Sequence, residues 1–419
     1  MAGHEVVDGN DVMAVVQQSL AQVRGDEAGA AGHKDSHGVG VYHACDKRRA
    51  LPPIRPTAAH IDLAALTRNF RVVEARVGPN VGLLAAVKGD AYGHGAVPCA
   101  RALAAVGCTA FGVALVEEGA LLRDASITGT ILCLGGVGRY GAEEAIRQDL
   151  TPVVYDEGDA ARLDAAAAAA GRCHPVHLKV DTGMGRLGVP ISQWEHFLDR
   201  FARFRHLDVE GVLTHFAESE SADATFTMEQ ARRFREAVGV ARSRGFNPRI
   251  LHAANSGGIF THPTTHLDMV RPGIALYGVS PVAGVALEPV MRVATQVLFV
   301  KDLPRGASVS YGRRFVTSRP TRIATLPVGY ADGYPRALSG HAQVIVGEKR
   351  CDVVGTICMD LCMVDVTEVP STVESGEEAV LLGAQGAARI DVNELAAWAG
   401  TIPYEILTGF SQRVPRMHA

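Results

Sequence analysis

Lysine is scarce in this chain of 419 residues: 35 of the 41 basic side chains are arginine, and lysine stands only at positions 34, 47, 88, 179, 301 and 349. Arginine does not give up its proton inside a protein, whereas a buried lysine does, so a lysine in an apolar setting points to amine chemistry. Two lysines fit that description. Lys88 closes an apolar run in GLLAAVKGDAYGHGA, and Lys179 lies within VHLKVDTGMGRLG. A lysine nucleophile needs a neutral amine, which partial desolvation at a strand end favours. Taken alone, a strand-end lysine more often snorkels to water. The Tyr92-Gly93-His94-Gly95 that follows Lys88 shifts the weight, because a phenol and two glycines make a loop where backbone can approach an anion.

The elements that must position these residues follow from the hydrophobic pattern. From His60, short apolar runs alternate with stretches of helical period. The predicted strands are Leu83–Val87, Phe111–Ala114, Thr130–Leu134, Thr151–Tyr155, Val176–Val180, Val209–Thr214, Ile250–Ala253 and Met269–Ala275. A helix is predicted over Met228–Ser243, with Met228, Ala231, Phe234, Val238 and Ala241 on one face. Eight strand–helix units predict an α/β fold, a (β/α)8 TIM barrel over residues 56–290. After about Leu287 the texture changes. Val-rich runs at Ala294–Val300, Arg322–Val328, Gln343–Val346, Val353–Cys358, Met363–Val366 and Ala379–Leu382 follow one another without helices, and Asp391–Trp398 reads as a single helix. This predicts a mainly β C-terminal domain over 291–419. Residues 1–55 read as an N-terminal extension with a short helical stretch near Val12–Val23, outside any core.

Active sites of such barrels form at the carboxyl ends of the strands. Lys88 follows the first predicted strand, Arg186 the fifth and His215 the sixth; Asn255 and Ser256 follow the seventh, and Arg271, Gly273 and Ile274 lie at the eighth. Polar residues converging on one rim from several strands exceed what packing alone supplies.

Composition narrows the function classes. A formal net charge of −4 gives no electrostatic footprint for nucleic acid or an anionic membrane. The absence of a bilayer-length apolar run and of a signal-peptide core makes the cytoplasm the expected compartment. The eight cysteines form no C-x-x-C pair and read as reduced, packed side chains. No metal is expected: His33, His37, His43 and Cys45 fit no structural zinc spacing, and His174 and His177 point to opposite faces of a strand. His252 and His262 read as structural.

AAVKGDAYGHGA resembles the cofactor-lysine signature of the alanine racemase family, A-V-x-K-A-[DN]-A-Y-G-H-G, with Gly89 where the family has alanine. The resemblance continues in order through KVDTGMGRLG, LTHFA, HAANS, MVRPGIALYG, SVSYG, LPVGYADGYPR, GTICMD and PYEILTGFSQRVPR. It implies a fold-type III pyridoxal-phosphate enzyme, an isomerase interconverting L- and D-alanine by two-base proton transfer and supplying D-alanine for peptidoglycan. It further implies a homodimer with active sites shared between subunits. By this resemblance Lys88 holds pyridoxal 5'-phosphate as a Schiff base, and Tyr92, Ser256, Gly273, Ile274 and Tyr404 bind its phosphate, with Asn255 positioning that cluster. Arg186 and the backbone of Met359 hold the substrate carboxylate, and Arg271 faces the pyridine nitrogen. Tyr311, reaching in from the other subunit, takes the proton from the L-enantiomer and Lys88 takes it from the D-enantiomer, with a Tyr311–His215–Arg271 hydrogen-bond chain supporting the phenol. Lys179 corresponds to a lysine carbamylated in many members, and Tyr330 with Tyr404 narrows the way in. The segment THFAESES departs from the family's THFA-x-AD-E, with Glu220 keeping the acidic role.

Three other readings stand beside this one. A racemase of the same fold could take serine, lysine or a broad range of amino acids. A barrel-type decarboxylase shares an A-V-K lysine but carries a glycine-triplet loop and a C-E-S-x-D motif, neither of which occurs here. A non-catalytic pyridoxal-phosphate-binding regulator has the barrel alone, and the β domain with Tyr311 argues against it.

Overall fold

β1 (Ala58–Ile61) alternates buried and exposed side chains, the pattern of a strand with one face in solvent. It does not join the barrel. It pairs antiparallel with residues 291–294 and parallel with 416–418, so this strand belongs to the sheet of the C-terminal domain although it lies within the stretch expected to be barrel. The computed structural model describes residues 54–419; the helical stretch near Val12–Val23 and the candidate ligands His33, His37, His43 and Cys45 lie outside the described residues.

The next strands are mostly apolar and mostly buried, as a covered parallel sheet demands, with the polar exceptions concentrated in the fifth to seventh of them. They are β2 (Gly82–Ala86), β3 (Ala110–Val113), β4 (Thr130–Cys133), β5 (Thr151–Val154), β6 (His174–Asp181), β7 (Leu207–Leu213), β8 (Ile250–His252) and β9 (Met269–Val270). Each pairs in parallel with the next, and β9 closes the barrel on β2 through Met269 opposite Gly82. Leu84, Ala110, Leu132, Val153, Leu213 and Met269 fill one layer of its interior. Outside, the helix at Thr225–Ser243 buries Ala231, Phe234, Val238 and Ala241, the face read from the sequence; Met228 lies off that face and is exposed.

The eighth strand is shorter than expected. Pro272 has no N–H for the ladder, so β9 ends at Val270, and Ile274–Tyr277 turns into a short 3-10 helix. In the C-terminal domain the run Ala294–Val300 splits into two strands in different sheets, Met291–Gln296 and Phe299–Leu303, with the switch at Val297 and Leu298. Val353–Cys358 is a loop rather than a strand, because Gly355 takes a left-handed φ of 71° and breaks the run. The helix expected at Asp391–Trp398 is present as Val392–Ala399, and after a turn at Gly400 a second, unexpected helix follows at Pro403–Gly409.

Candidate active site

Lys88 follows β2 at the mouth of the barrel, and the backbone after it is unusual. Gly89, Asp90, Ala91 and Tyr92 have φ of 61°, 53°, 54° and 54°, a left-handed turn that costs L-residues about 1–2 kcal/mol each. The glycine that departs from the family signature stands at a position where glycine is the least strained choice. Neighbours hold the turn in place. His94 Nδ1 donates to the carbonyls of Ala91 and Tyr92 at 3.0 Å, and Glu118 accepts from the Gly89 N–H at 2.7 Å. Arg416, from the last strand, donates to Gly93 O at 2.9 Å and to Phe410 O at 2.6 Å. Gly93 is obligatory because a Cβ there would lie 2.3 Å from Leu407 O. The turn thus delivers Tyr92 against the helix that carries Tyr404, with ring centroids 6.0 Å apart.

A cavity of about 650 Å³ opens at this rim and gathers Lys88, Tyr92, Lys179, Arg186, His215, Asn255, Ser256, Arg271, Gly273, Ile274 and Tyr404. Glu220 lines it as well. Its electrostatics are cationic. Burial first, then the charges of Arg186 and Arg271, lower the pKa of Lys88, with Glu118 opposing the shift. Burial together with Arg271, Arg186 and Lys88 brings Lys179 down to about 8. His215 is held well below the ordinary imidazole value, by burial first and then by the same cations.

Arg271 is buried, and its fixation is dense. Nη2 donates to Thr214 O at 2.8 Å, to Ala253 O at 2.9 Å and to His215 Nδ1 at 3.3 Å. Nη1 donates to His252 Nδ1 at 3.1 Å. The chain then continues down the barrel axis: His252 Nε2 meets His177 Nδ1 at 2.8 Å, and His177 Nε2 meets Glu210 at 3.4 Å. Because Arg271 can only donate, each imidazole accepts on Nδ1 and donates from Nε2, ending on a carboxylate. Burial brings Arg271 down to about 10, which leaves it protonated at neutral pH. Gly211 makes room for this path, since a Cβ there would sit 2.5 Å from His177 Nδ1.

The opposite wall is a cradle of uncharged donors. Ser256 Oγ accepts from the Gly273 N–H at 2.9 Å, which leaves its own hydrogen free to point into the cavity. Asn255 Oδ1 accepts from Gly258 N at 3.1 Å and from Ser219 Oγ at 2.5 Å, anchoring the segment that bears Ser256. Tyr92 stacks on Tyr277 with centroids 4.9 Å apart. Burial raises the pKa of Tyr92 and pushes Tyr404 up to about 12, so both phenols remain donors. Hydroxyls converging on a cation-rich cavity with a low-pKa amine suit an anionic aldehyde, the class to which pyridoxal phosphate belongs.

Three expected site residues lie elsewhere in the single chain. Tyr311, Tyr330 and Met359 do not line the cavity and are 73%, 43% and 53% exposed. They nevertheless belong together, because the segment Thr356–Met359 ties all three. Thr356 Oγ1 donates to Tyr311 O at 2.9 Å, Tyr330 N donates to Cys358 O at 3.1 Å, and Ala331 N donates to Met359 O at 3.0 Å. The expected Tyr311–His215–Arg271 chain is present here as its His215–Arg271 half.

Sequence reasoning set His177 and His252 aside as structural, and Glu210 was not considered. The available signal was a histidine in each of two barrel strands, with a glycine on the strand between them opposite His177. Among the described residues no group of three or more His, Cys, Asp or Glu side chains is arranged to hold a metal ion.

The closed barrel, with a lysine on its rim, and the appended β domain are the architecture against which known proteins can be compared. Family models described as "Alanine racemase, N-terminal domain" and "Alanine racemase, C-terminal domain" match residues 61–281 and 290–418, and the chain belongs to the alanine racemase family. It is 44% identical over 372 residues to an alanine racemase of Geobacter sulfurreducens, covering 87% of this chain and 97% of that protein. The crystal structure of alanine racemase from D-cycloserine-producing Streptomyces lavendulae aligns with a TM-score of 0.83 at 38% identity, covering 88% of this chain and 98% of that one. The alanine racemase of Bartonella henselae, solved with covalently bound pyridoxal phosphate, aligns with a TM-score of 0.80 at 31% identity over 87% of this chain and 99% of that chain.

Proposed function

We propose that this chain is an alanine racemase that interconverts L- and D-alanine with pyridoxal phosphate carried on Lys88. The observation that carries the reading is the convergence, on one cavity, of a lysine whose pKa is lowered, the cation of Arg186 and a hydroxyl cradle, beside an arginine fixed by neutral acceptors. When bound, pyridoxal phosphate holds the amino group of the substrate and draws electrons away from its Cα–H bond. Tyr92, Ser256 and Tyr404, with backbone at Gly273 and Ile274, are the residues to hold its phosphate. Arg271 is the group to face its ring nitrogen. A guanidinium that donates and keeps its proton would leave such a nitrogen unprotonated, restraining the electron sink and disfavouring transamination.

Lys88 serves as one acid/base group. Burial and the charges of Arg186 and Arg271 shift it toward the neutral amine, the form that takes the Cα proton of D-alanine and returns it. The second group must stand on the other face of Cα. Tyr311 of the partner subunit fills that role in a homodimer, in which the exposed Tyr311, Tyr330 and Met359 cluster completes the neighbour's cavity. Arg186 binds the substrate carboxylate with help from Met359, and the crowding by Tyr404 and Tyr330 restricts the side chain to a small one, favouring alanine over serine or lysine. Lys179, with its pKa near 8, presents an amine that can react with carbon dioxide. The resulting carbamate would place an anion beside Arg186. No helix among the described residues is long and apolar enough to cross a membrane, in keeping with a cytoplasmic enzyme providing D-alanine for peptidoglycan.

The test is a panel of L-amino acids incubated with the enzyme in deuterated water. Alanine should yield the D-enantiomer with deuterium at Cα, well ahead of serine and lysine. No exchange with any amino acid, or carbon dioxide release instead, rejects the reading.

A further inference from the structure

Tyr311 is exposed as a side chain yet tightly fixed as backbone. Ser310, immediately before it, has φ 64° and ψ −174°, a combination otherwise left to glycine. Gly312 and Arg313 also have positive φ, of 70° and 50°. Such a conformation persists only where its surroundings impose it, and here two hydrogen bonds do so. Ser310 Oγ donates to Thr356 O at 2.5 Å, and Thr356 Oγ1, on a residue only 2% exposed, donates to Tyr311 O at 2.9 Å. Gly355 presses on the same point, since a Cβ there would lie 2.8 Å from Val309 O and 3.0 Å from the Ser310 Cβ.

An exposed tyrosine on a hairpin turn needs none of this. Glycine at position 310 would satisfy the backbone with less strain, so the serine is explained by its hydroxyl. We infer that Ser310 and Thr356 are positioning residues that clasp the hairpin between Val309 and Phe315 and aim the Tyr311 phenol out of its own chain. This rests on the reading of Tyr311 as the proton-transfer group for the L-enantiomer. The clasp makes the Tyr311 ring a preset projection, whose direction is decided before anything packs against it.

The test uses the full-length, cofactor-loaded enzyme carrying Ser310→Gly, Thr356→Val or Thr356→Ser. The two enantiomers of alanine are equal in free energy, so kcat/KM must fall equally in both directions, and isotope effects must supply the asymmetry. Ser310→Gly should leave the melting temperature unchanged or higher while lowering kcat/KM about tenfold or more through misplacement of the phenol. With Cα-deuterated substrates, the isotope effect should grow for L-alanine and shrink for D-alanine. Thr356→Val should behave alike, and Thr356→Ser should restore the wild-type pattern. A Ser310→Gly enzyme at the wild-type rate, or isotope effects that move together, overturns the inference. Tyr311→Phe run alongside separates the two layers: if it alone impairs the enzyme, the clasp fails and the base assignment stands, whereas wild-type rates for it reject both.

Discussion

The two halves of the proposed site are built in opposite ways. On the barrel, Lys88 and Arg271 are desolvated and held by carbonyls, imidazoles and a strained turn; burial lowers the pKa of both, and the charges of Arg186 and Arg271 lower that of Lys88 further. On the β domain, Tyr311, Tyr330 and Met359 stand in solvent, and what is rigid there is the backbone beneath them. The contrast teaches a division of labour. A residue whose charge state must be tuned by its own chain is buried in it, while a residue that must reach another chain is aimed and left uncovered.

The largest effect that would break this comparison comes from the barrel side. Lys88→Ala should lower racemisation by at least about a thousandfold, as expected on losing a residue that is both covalent anchor and base. Borohydride reduction followed by peptide mapping should then label no peptide, whereas the unmodified chain should be labelled at Lys88. Next comes the β side. Tyr311→Phe should cut racemisation about a hundredfold, the usual weight of a positioned acid/base group. D-alanine should still exchange its Cα proton with solvent through Lys88, and L-alanine should not. Equal loss of exchange from both enantiomers would contradict separate bases.

A smaller effect would sharpen the account of the buried half. Gly211→Ala drives a Cβ into the His177 ring and so disturbs the Arg271–His252–His177–Glu210 chain. Loss of stability by about 1–3 kcal/mol is expected for such overpacking, read by denaturant unfolding, together with a shifted absorption band of the bound cofactor. A destabilised enzyme with an unchanged band would make the chain structural alone.

The smallest effect is one of pH. Lys179 has a folded pKa lowered from 10.5 to about 8, so between these values the unfolded chain binds more protons and stability rises with pH. The gain is complete above the unfolded value and is lost as pH falls toward 8, with an upper bound of about 3 kcal/mol. In buffer free of carbon dioxide, Lys179→Met should flatten this rise; an unaltered slope would assign it to another group.

Much of the barrel half was legible in the sequence because it follows from period and position. Apolar runs fixed the strands, and the strand-end rule put Lys88, Arg186, His215, Ser256 and Arg271 on one rim. What stayed hidden depends on contacts between distant segments. The left-handed turn at Gly89–Tyr92 is imposed by His94, Glu118 and Arg416, and no local propensity announces three consecutive L-residues there. His177 and His252 are 75 positions apart and meet only once the barrel closes. In the β domain, Val353–Cys358 has strand composition, yet Gly355 and the hydrogen bonds of Thr356 turn it into the loop that grips Tyr311.

The central claim is that each working site takes its lysine from one subunit and its tyrosine from the other. Mixing the Lys88→Ala chain with the Tyr311→Phe chain, unfolding and refolding them together, and measuring racemisation tests it directly. Random pairing makes half of the dimers mixed, and each mixed dimer rebuilds one intact site out of two. The account therefore predicts recovery of about a quarter of the wild-type activity from two nearly inactive parents. Recovery no greater than the sum of the parents would place both residues in the same subunit's site and contradict it.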